Sequence, residues 1–116
     1  MEEFDFPQKE VTTLEEVQSY VANELGVLVY FYNDSCAPCV SLRPKIVEMM
    51  SQSFPKMKLI FVNSSFRDIP AHYQVYSNPT LLVFFDRKEY LRESKYVSIP
   101  KLESDINRFY EMVYSD

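Results

Sequence analysis

The stretch Val27-Leu28-Val29-Tyr30-Phe31-Tyr32 runs directly into Asn33-Asp34-Ser35-Cys36-Ala37-Pro38-Cys39. The continuous apolar and aromatic run suits a strand buried on both faces. Asn33-Asp34-Ser35 breaks the pattern. Pro38 then suits the first turn of a helix, where its missing N–H costs nothing. Val40, Ile46, Val47 and Met50 continue at helical spacing to about Gln52, and Phe54-Pro55 ends the helix. Pro44 falls inside it and is expected to kink it. The two cysteines therefore stand where a buried strand hands over to a helix.

The same logic assigns the flanking elements. A short strand is expected around Gln8–Val11, with 1–7 a frayed start. Thr13-Leu14-Glu15-Glu16 fits a capping box, with Thr13 as the cap and Glu16 reaching back. Leu14, Val17, Val21 and Leu25 form one apolar stripe, so a helix is expected over about 14–25. Gly26 sits at its end, where positive φ is tolerated. Lys58–Asn63 reads as a second buried strand and Ala71–Gln74 as a short helix. Thr80-Leu81-Leu82-Val83-Phe84-Phe85 is a third strand. Tyr90–Val97 is a fourth, joined to the third by a hairpin turn at Asp86-Arg87-Lys88. Ser98 caps a last helix, with Pro100 in its first turn and Leu102, Ile106, Phe109 and Val113 on its buried face. Early alternation of helix and strand gives parallel crossovers, and the closing hairpin gives an antiparallel edge. With no repeat, linker or low-complexity stretch, residues 1–116 are expected to form one domain.

Composition narrows the function. The chain has 116 residues, 47% of them hydrophobic and 25% charged, enough for a core and too apolar for a disordered segment. Gly occurs once, at Gly26, which argues against Gly-rich phosphate loops and dinucleotide fingerprints. Twelve basic residues against seventeen acidic give a net charge of -5, so nucleic acid is not an expected partner. No apolar run approaches the roughly 20 residues that cross a bilayer. Met1-Glu2-Glu3-Phe4-Asp5 lacks the basic and apolar regions of a secretory signal. The expectation is a cytoplasmic monomer off the membrane. Two cysteines and one histidine cannot close a four-ligand zinc site or build a disulfide scaffold. No metal or organic cofactor is expected.

What remains is Cys36-Ala37-Pro38-Cys39 at a strand-to-helix junction, a redox signature. A helix start offers unsatisfied N–H groups and partial positive charge, and both favour thiolate over thiol at Cys36. Cys36 is expected to be the attacking sulfur. Cys39, one turn into the helix and more shielded, is expected to resolve. His72, the only histidine, is expected to be exposed or structural. Asn33-Asp34-Ser35 and Asn63-Ser64-Ser65 match the glycosylation sequon but abut buried strands, and are discounted.

The strand, Cys36-Ala37-Pro38-Cys39 and Pro44 together resemble the thioredoxin family. So does Ser77-Asn78-Pro79-Thr80-Leu81-Leu82-Val83-Phe84, where that family has a cis-proline, a Thr and an apolar strand. The resemblance spans about residues 10–113. It implies a thioredoxin-like three-layer α/β sandwich, a central mixed sheet flanked by helices. It also implies a cis bond before Pro79 and a substrate strand paired on the backbone of Asn78. The implied activity is reduction of protein disulfides, with a thioredoxin-reductase-type donor. Ser35, Ala37 and Pro38 join Asn78 and Pro79 as expected substrate-binding residues.

The chain departs from the family at several of these positions. Ser35 replaces a tryptophan before the first cysteine, removing an apolar wall. Tyr30 replaces a buried aspartate linked to deprotonating the resolving thiol, and a tyrosine, titrating near about 10, is a poor base at neutral pH. Ile60 aligns with that aspartate's partner lysine, so apolar and aromatic packing is expected in place of a charged pair. Glycines around the substrate groove are missing, and Val40 replaces a lysine. The amide of Asn78 could bond a substrate or the thiolate, or only stabilise its turn. A binding module with little turnover and a glutathione-dependent glutaredoxin-like enzyme are the alternatives to a disulfide reductase.

Overall fold

The computed structural model describes residues 8–115; the frayed start expected over 1–7 lies outside them. Nine elements follow in order: β1 (Gln8–Glu10), α1 (Leu14–Asn23), β2 (Gly26–Tyr32), α2 (Ala37–Ser53), β3 (Lys58–Asn63), α3 (Asp68–His72), β4 (Thr80–Phe85), β5 (Lys88–Ser94) and α4 (Ile99–Val113). The strands form one sheet in the order β1-β3-β2-β4-β5. β3 runs parallel to β1 and β2, while β2–β4 and β4–β5 are antiparallel.

Strand alternation divides the core between the two faces of the sheet. Leu28, Tyr30, Leu59, Phe61, Leu81, Val83 and Phe85 point to one face and pack beneath Ile46, Met50, Leu102 and Ile106 of α2 and α4. Val27, Val29, Phe31, Ile60, Val62, Leu82 and Phe84 point to the other and meet Val17 of α1 and Ile69 of α3. Helices cover both sides, so the run Val27–Phe31 is buried throughout. This is the expected three-layer sandwich.

Local chemistry fixes the helix starts. Thr13 accepts a hydrogen bond from the Glu16 N–H at 3.1 Å and caps α1. The return half of the capping box is diverted, because the Glu16 carboxylate pairs with Lys9 at 2.9 Å. Ser98 caps α4 by accepting from the Lys101 N–H at 3.4 Å.

Three boundaries differ from expectation, each for a physical reason. α1 stops at Asn23, and Gly26 opens β2 without positive φ. Its need for glycine is close packing: a Cβ there would lie 2.7 Å from the Tyr114 hydroxyl and 3.0 Å from Met57 Cγ. The hairpin turns on Asp86 and Arg87 alone, both with positive φ (52° and 70°), so Lys88 already pairs with Phe85. β5 therefore spans Lys88–Ser94 rather than Tyr90–Val97. The short helix spans Asp68–His72, earlier than Ala71–Gln74, and Gln74 turns left-handed just after it.

Topology places the site. β2 ends at Tyr32 and delivers Cys36 at the head of α2. β4 runs the opposite way, with Phe31 paired to Thr80. The residues that precede β4, Asn78 and Pro79, thus arrive at the same end of the sheet as the cysteines.

Candidate active site

Cys36 is the N-cap of α2. Its sulfur accepts a hydrogen bond from the Cys39 N–H at 3.1 Å. That amide is one of the donors a helix start leaves without an internal partner. The loop before it is held by Asn33, whose side-chain oxygen accepts from the Ser35 N–H at 3.0 Å and the Ser35 hydroxyl at 3.2 Å. Asn63 makes the same turn, accepting from the Ser65 N–H at 3.0 Å. Both sequon asparagines serve their own loops.

Cys36 and Cys39 are joined by a disulfide, with Cα atoms 5.3 Å apart. Their exposures differ: Cys36 is half-buried, and Cys39 is only 2% exposed. Ser35, Ala37 and Pro38 are all exposed around them.

The Asn78–Pro79 peptide bond is cis. Pro79 is buried, and the loop carrying it is pinned from three sides. The Thr80 hydroxyl donates to the Ser77 carbonyl at 2.7 Å, and the Lys95 N–H donates to the Pro79 carbonyl at 2.8 Å. The Ser64 hydroxyl donates to the Asn78 side-chain oxygen at 2.9 Å. That oxygen therefore serves the loop. Neither backbone polar group of Asn78 bonds another backbone group among the described residues.

Beneath Cys39 lies Tyr30, completely buried. Its hydroxyl donates to the Cys39 carbonyl at 2.7 Å. Pro44, inside the same helix, leaves the next carbonyl, that of Val40, without an i+4 amide donor, while Tyr30 braces the carbonyl of Cys39 from outside. Burial pushes the Tyr30 hydroxyl up to about 12, against the opposing pull of the Arg43 charge. It is a fixed donor at neutral pH and no base.

The neighbour of Tyr30 is not the one alignment suggests. Ile60 pairs with Val29 and points to the opposite face of the sheet. Phe61 pairs with Tyr30, and their rings lie 5.3 Å apart. Aromatic packing does replace a buried charged pair, as expected, but Phe61 supplies it. A charge nevertheless returns from the helix, for the Arg43 guanidinium lies 3.7 Å over the Phe61 ring.

Arg43 was not singled out by the sequence, although its place four residues after Cys39 puts both on one helix face. Three apolar side chains nearby are exposed; the sequence singled out Val40, as replacing a lysine, but not Tyr76 or Tyr96. Val40 (67% exposed) follows Cys39, Tyr76 (87%) precedes the Pro79 loop, and Tyr96 (91%) follows Lys95, which bonds that loop. His72 is exposed and stacks edge-on with Tyr73 at 4.7 Å, a surface role.

Comparison with known proteins gives one consistent result. A family profile described as Thioredoxin matches residues 8–108. The thioredoxin-like protein YdfQ of Bacillus subtilis is 27% identical over 108 residues, covering 90% of this chain and 96% of its own length. Thioredoxin of Chlamydia pneumoniae is 35% identical over 83 residues, 71% of this chain and 79% of that protein. Among solved structures, oxidised thioredoxin O2 of Arabidopsis thaliana superposes with a TM-score of 0.79 at 20% identity, covering 90% of this chain and 96% of that one. Oxidised mitochondrial thioredoxin 3 of Saccharomyces cerevisiae gives 0.76 at 19%, covering 92% and 99%. At such identities the structural likeness is one of fold.

Proposed function

The chain belongs to the thioredoxin family of thiol–disulfide oxidoreductases, and on that premise we propose that it reduces protein disulfides with Cys36 attacking and Cys39 resolving. The observation that carries the assignment of roles is the Cys39 N–H directed at the Cys36 sulfur at 3.1 Å. A donor so placed, with the helix dipole behind it, favours negative charge on that sulfur. The greater exposure of Cys36 lets a substrate disulfide reach it first.

The cycle balances without a cofactor. The Cys36 thiolate attacks one sulfur of a substrate disulfide and expels the other as a thiolate, leaving a mixed disulfide. Cys39 loses its proton and attacks the Cys36 sulfur. The Cys36–Cys39 bond forms, the bond to substrate breaks, and the electron pair leaves on the substrate sulfur. Two electrons have passed to the substrate. A thioredoxin-reductase-type donor returns them.

Substrate contacts fall to the exposed surface beside the pair. Ser35, Ala37 and Pro38 flank the sulfurs, and the Pro79 loop reaches the same end of the sheet. The unengaged backbone of Asn78 supports pairing with a substrate strand. Val40, Tyr76 and Tyr96 offer exposed apolar area, Val40 in place of the lysine that the family resemblance implies. The intrachain disulfide needs no second copy, which supports a monomer. The unbroken succession of elements from Gln8 to Val113 supports one domain. No helix among the described residues is long and apolar enough to cross a membrane. A cytoplasmic location remains part of the proposal.

Insulin reduction with dithiothreitol as donor is the test. Turnover well above the dithiothreitol background, abolished by Cys36→Ser, is the expected result. Background rates for the unaltered protein would support a binding module instead. Activity confined to glutathione mixed disulfides would support a glutaredoxin-like enzyme.

A further inference from the structure

Tyr30 cannot take the proton of the resolving thiol, so its position leaves open what makes Cys39 a nucleophile. The structure gathers a charged group beside Cys39. Arg43 stands one turn further along α2 on the same face, and with Cys39, Tyr32, Asp34 and Val40 it lines one open cavity. Its guanidinium is held from three directions. It lies over the Phe61 ring at 3.7 Å and over the Tyr32 ring at 5.3 Å, and its Nη2 is 2.8 Å from Glu10 Oε2. The other carboxylate oxygen of Glu10 accepts from the Tyr32 hydroxyl at 2.8 Å. A long cationic side chain is thus fixed at the cavity by residues of three strands.

We propose that Arg43 is a positioning residue for the resolving step: its fixed positive charge draws negative charge onto the Cys39 sulfur of the reduced protein. The inference rests on Cys39 being the resolving cysteine. In that step the Cys39 thiol gives its proton to solvent in the cavity, and the thiolate displaces substrate from Cys36 as written above. No further reactant is required. The site replaces a buried base by a cation that stabilises the product of deprotonation. An opposite charge lining the same cavity favours an ionised group, and partial exposure reduces the effect.

Among the described residues, the titratable groups around Cys39 and its cavity are few. From α2 come Arg43 and Cys36, and from β2 come Tyr30 and Tyr32, both neutral donors. The loop contributes Asp34, and β1 contributes Glu10 through its pair with Arg43. Asp34 and Glu10 oppose the guanidinium, so the two ends of the Arg43–Glu10 pair act on Cys39 with opposite sign.

That opposition supplies the test. In a reduced Cys36→Ala background Cys39 is the single thiol, and the pH dependence of its alkylation by iodoacetamide reads its ionisation. Arg43→Gln is expected to move the midpoint up by about half a pH unit or more, and Glu10→Gln to move it down. Both changes break the same ion pair, so a purely structural role would move the two midpoints in the same direction. Coincident midpoints, or shifts of one sign, would overturn the proposal. The measurement needs no turnover, so it stands apart from the insulin assay.

Discussion

Cys39→Ser is expected to stop the protein halfway through its cycle. With Cys36 intact, the first attack on a substrate disulfide still occurs. With no sulfur at 39, nothing displaces the substrate, and the mixed disulfide accumulates. Mixed with excess insulin and no added thiol, the variant should gain the mass of one insulin molecule, whose chains stay joined by the disulfide that was not attacked. Its steady-state turnover should fall to background, because residues acting as a unit do not partially substitute for one another. The reciprocal Cys36→Ser should gain no such adduct under the same conditions. An adduct on Cys39 in that variant, formed as fast as on Cys36, would reverse the assignment of roles. The exposures argue against reversal: Cys39 is 2% exposed, whereas Cys36 is half-buried.

Tyr30→Ala should be the most damaging single change beneath the site. The side chain is completely buried in the middle of the central strand and packs on Phe61 at 5.3 Å. Truncating a large buried aromatic leaves a cavity and costs about 3–5 kcal/mol. The Cys39 carbonyl also loses its outside donor, adding about 1–3 kcal/mol if water cannot reach it. Against a total stability of about 5–15 kcal/mol, that sum removes a large share and is enough to unfold a protein at the low end of the range. Tyr30→Phe separates the contributions, since it keeps the ring and removes only the donor. Its cost should be about 1–3 kcal/mol, the share of the lost donor alone. Urea midpoints for the two variants should therefore differ widely. Equal losses would mean that the hydroxyl, and not the ring, carries the stabilisation.

Much of this arrangement was legible in the sequence because burial leaves a pattern. Val27–Tyr32, Lys58–Asn63 and Thr80–Phe85 are continuous apolar runs, and each is an interior strand within a residue of its expected bounds. Caps at Thr13 and Ser98 were legible because a side-chain oxygen ahead of an apolar stripe has few other uses. β5 was less so. As an edge strand it is largely exposed, carries no clean alternation, and is entered by a turn whose left-handed residues, Asp86 and Arg87, are not glycines.

Within the site, the cysteine pair was legible because local sequence sets a strand-to-helix junction, and Pro79 was legible only through the family resemblance of Ser77–Phe84. The surroundings of Cys39 were not. Which residue of β3 sits beside Tyr30 depends on the parallel register, and a shift of one residue turns every side chain to the opposite face. That is why Ile60 was expected where Phe61 stands. Arg43 was hidden for the same reason: its partners Glu10, Tyr32 and Phe61 belong to three different strands, and only the assembled sheet brings them to α2.

The central claim is that the start of α2 makes Cys36 the more acidic thiol of the pair. The direct measurement is competitive alkylation of the fully reduced protein across pH, with each cysteine followed separately by peptide mass. Cys36 should be modified first, with a midpoint below the roughly 8.5 of a free thiol. Equal labelling of the two cysteines, or a Cys36 midpoint at or above the free-thiol value, would contradict the account.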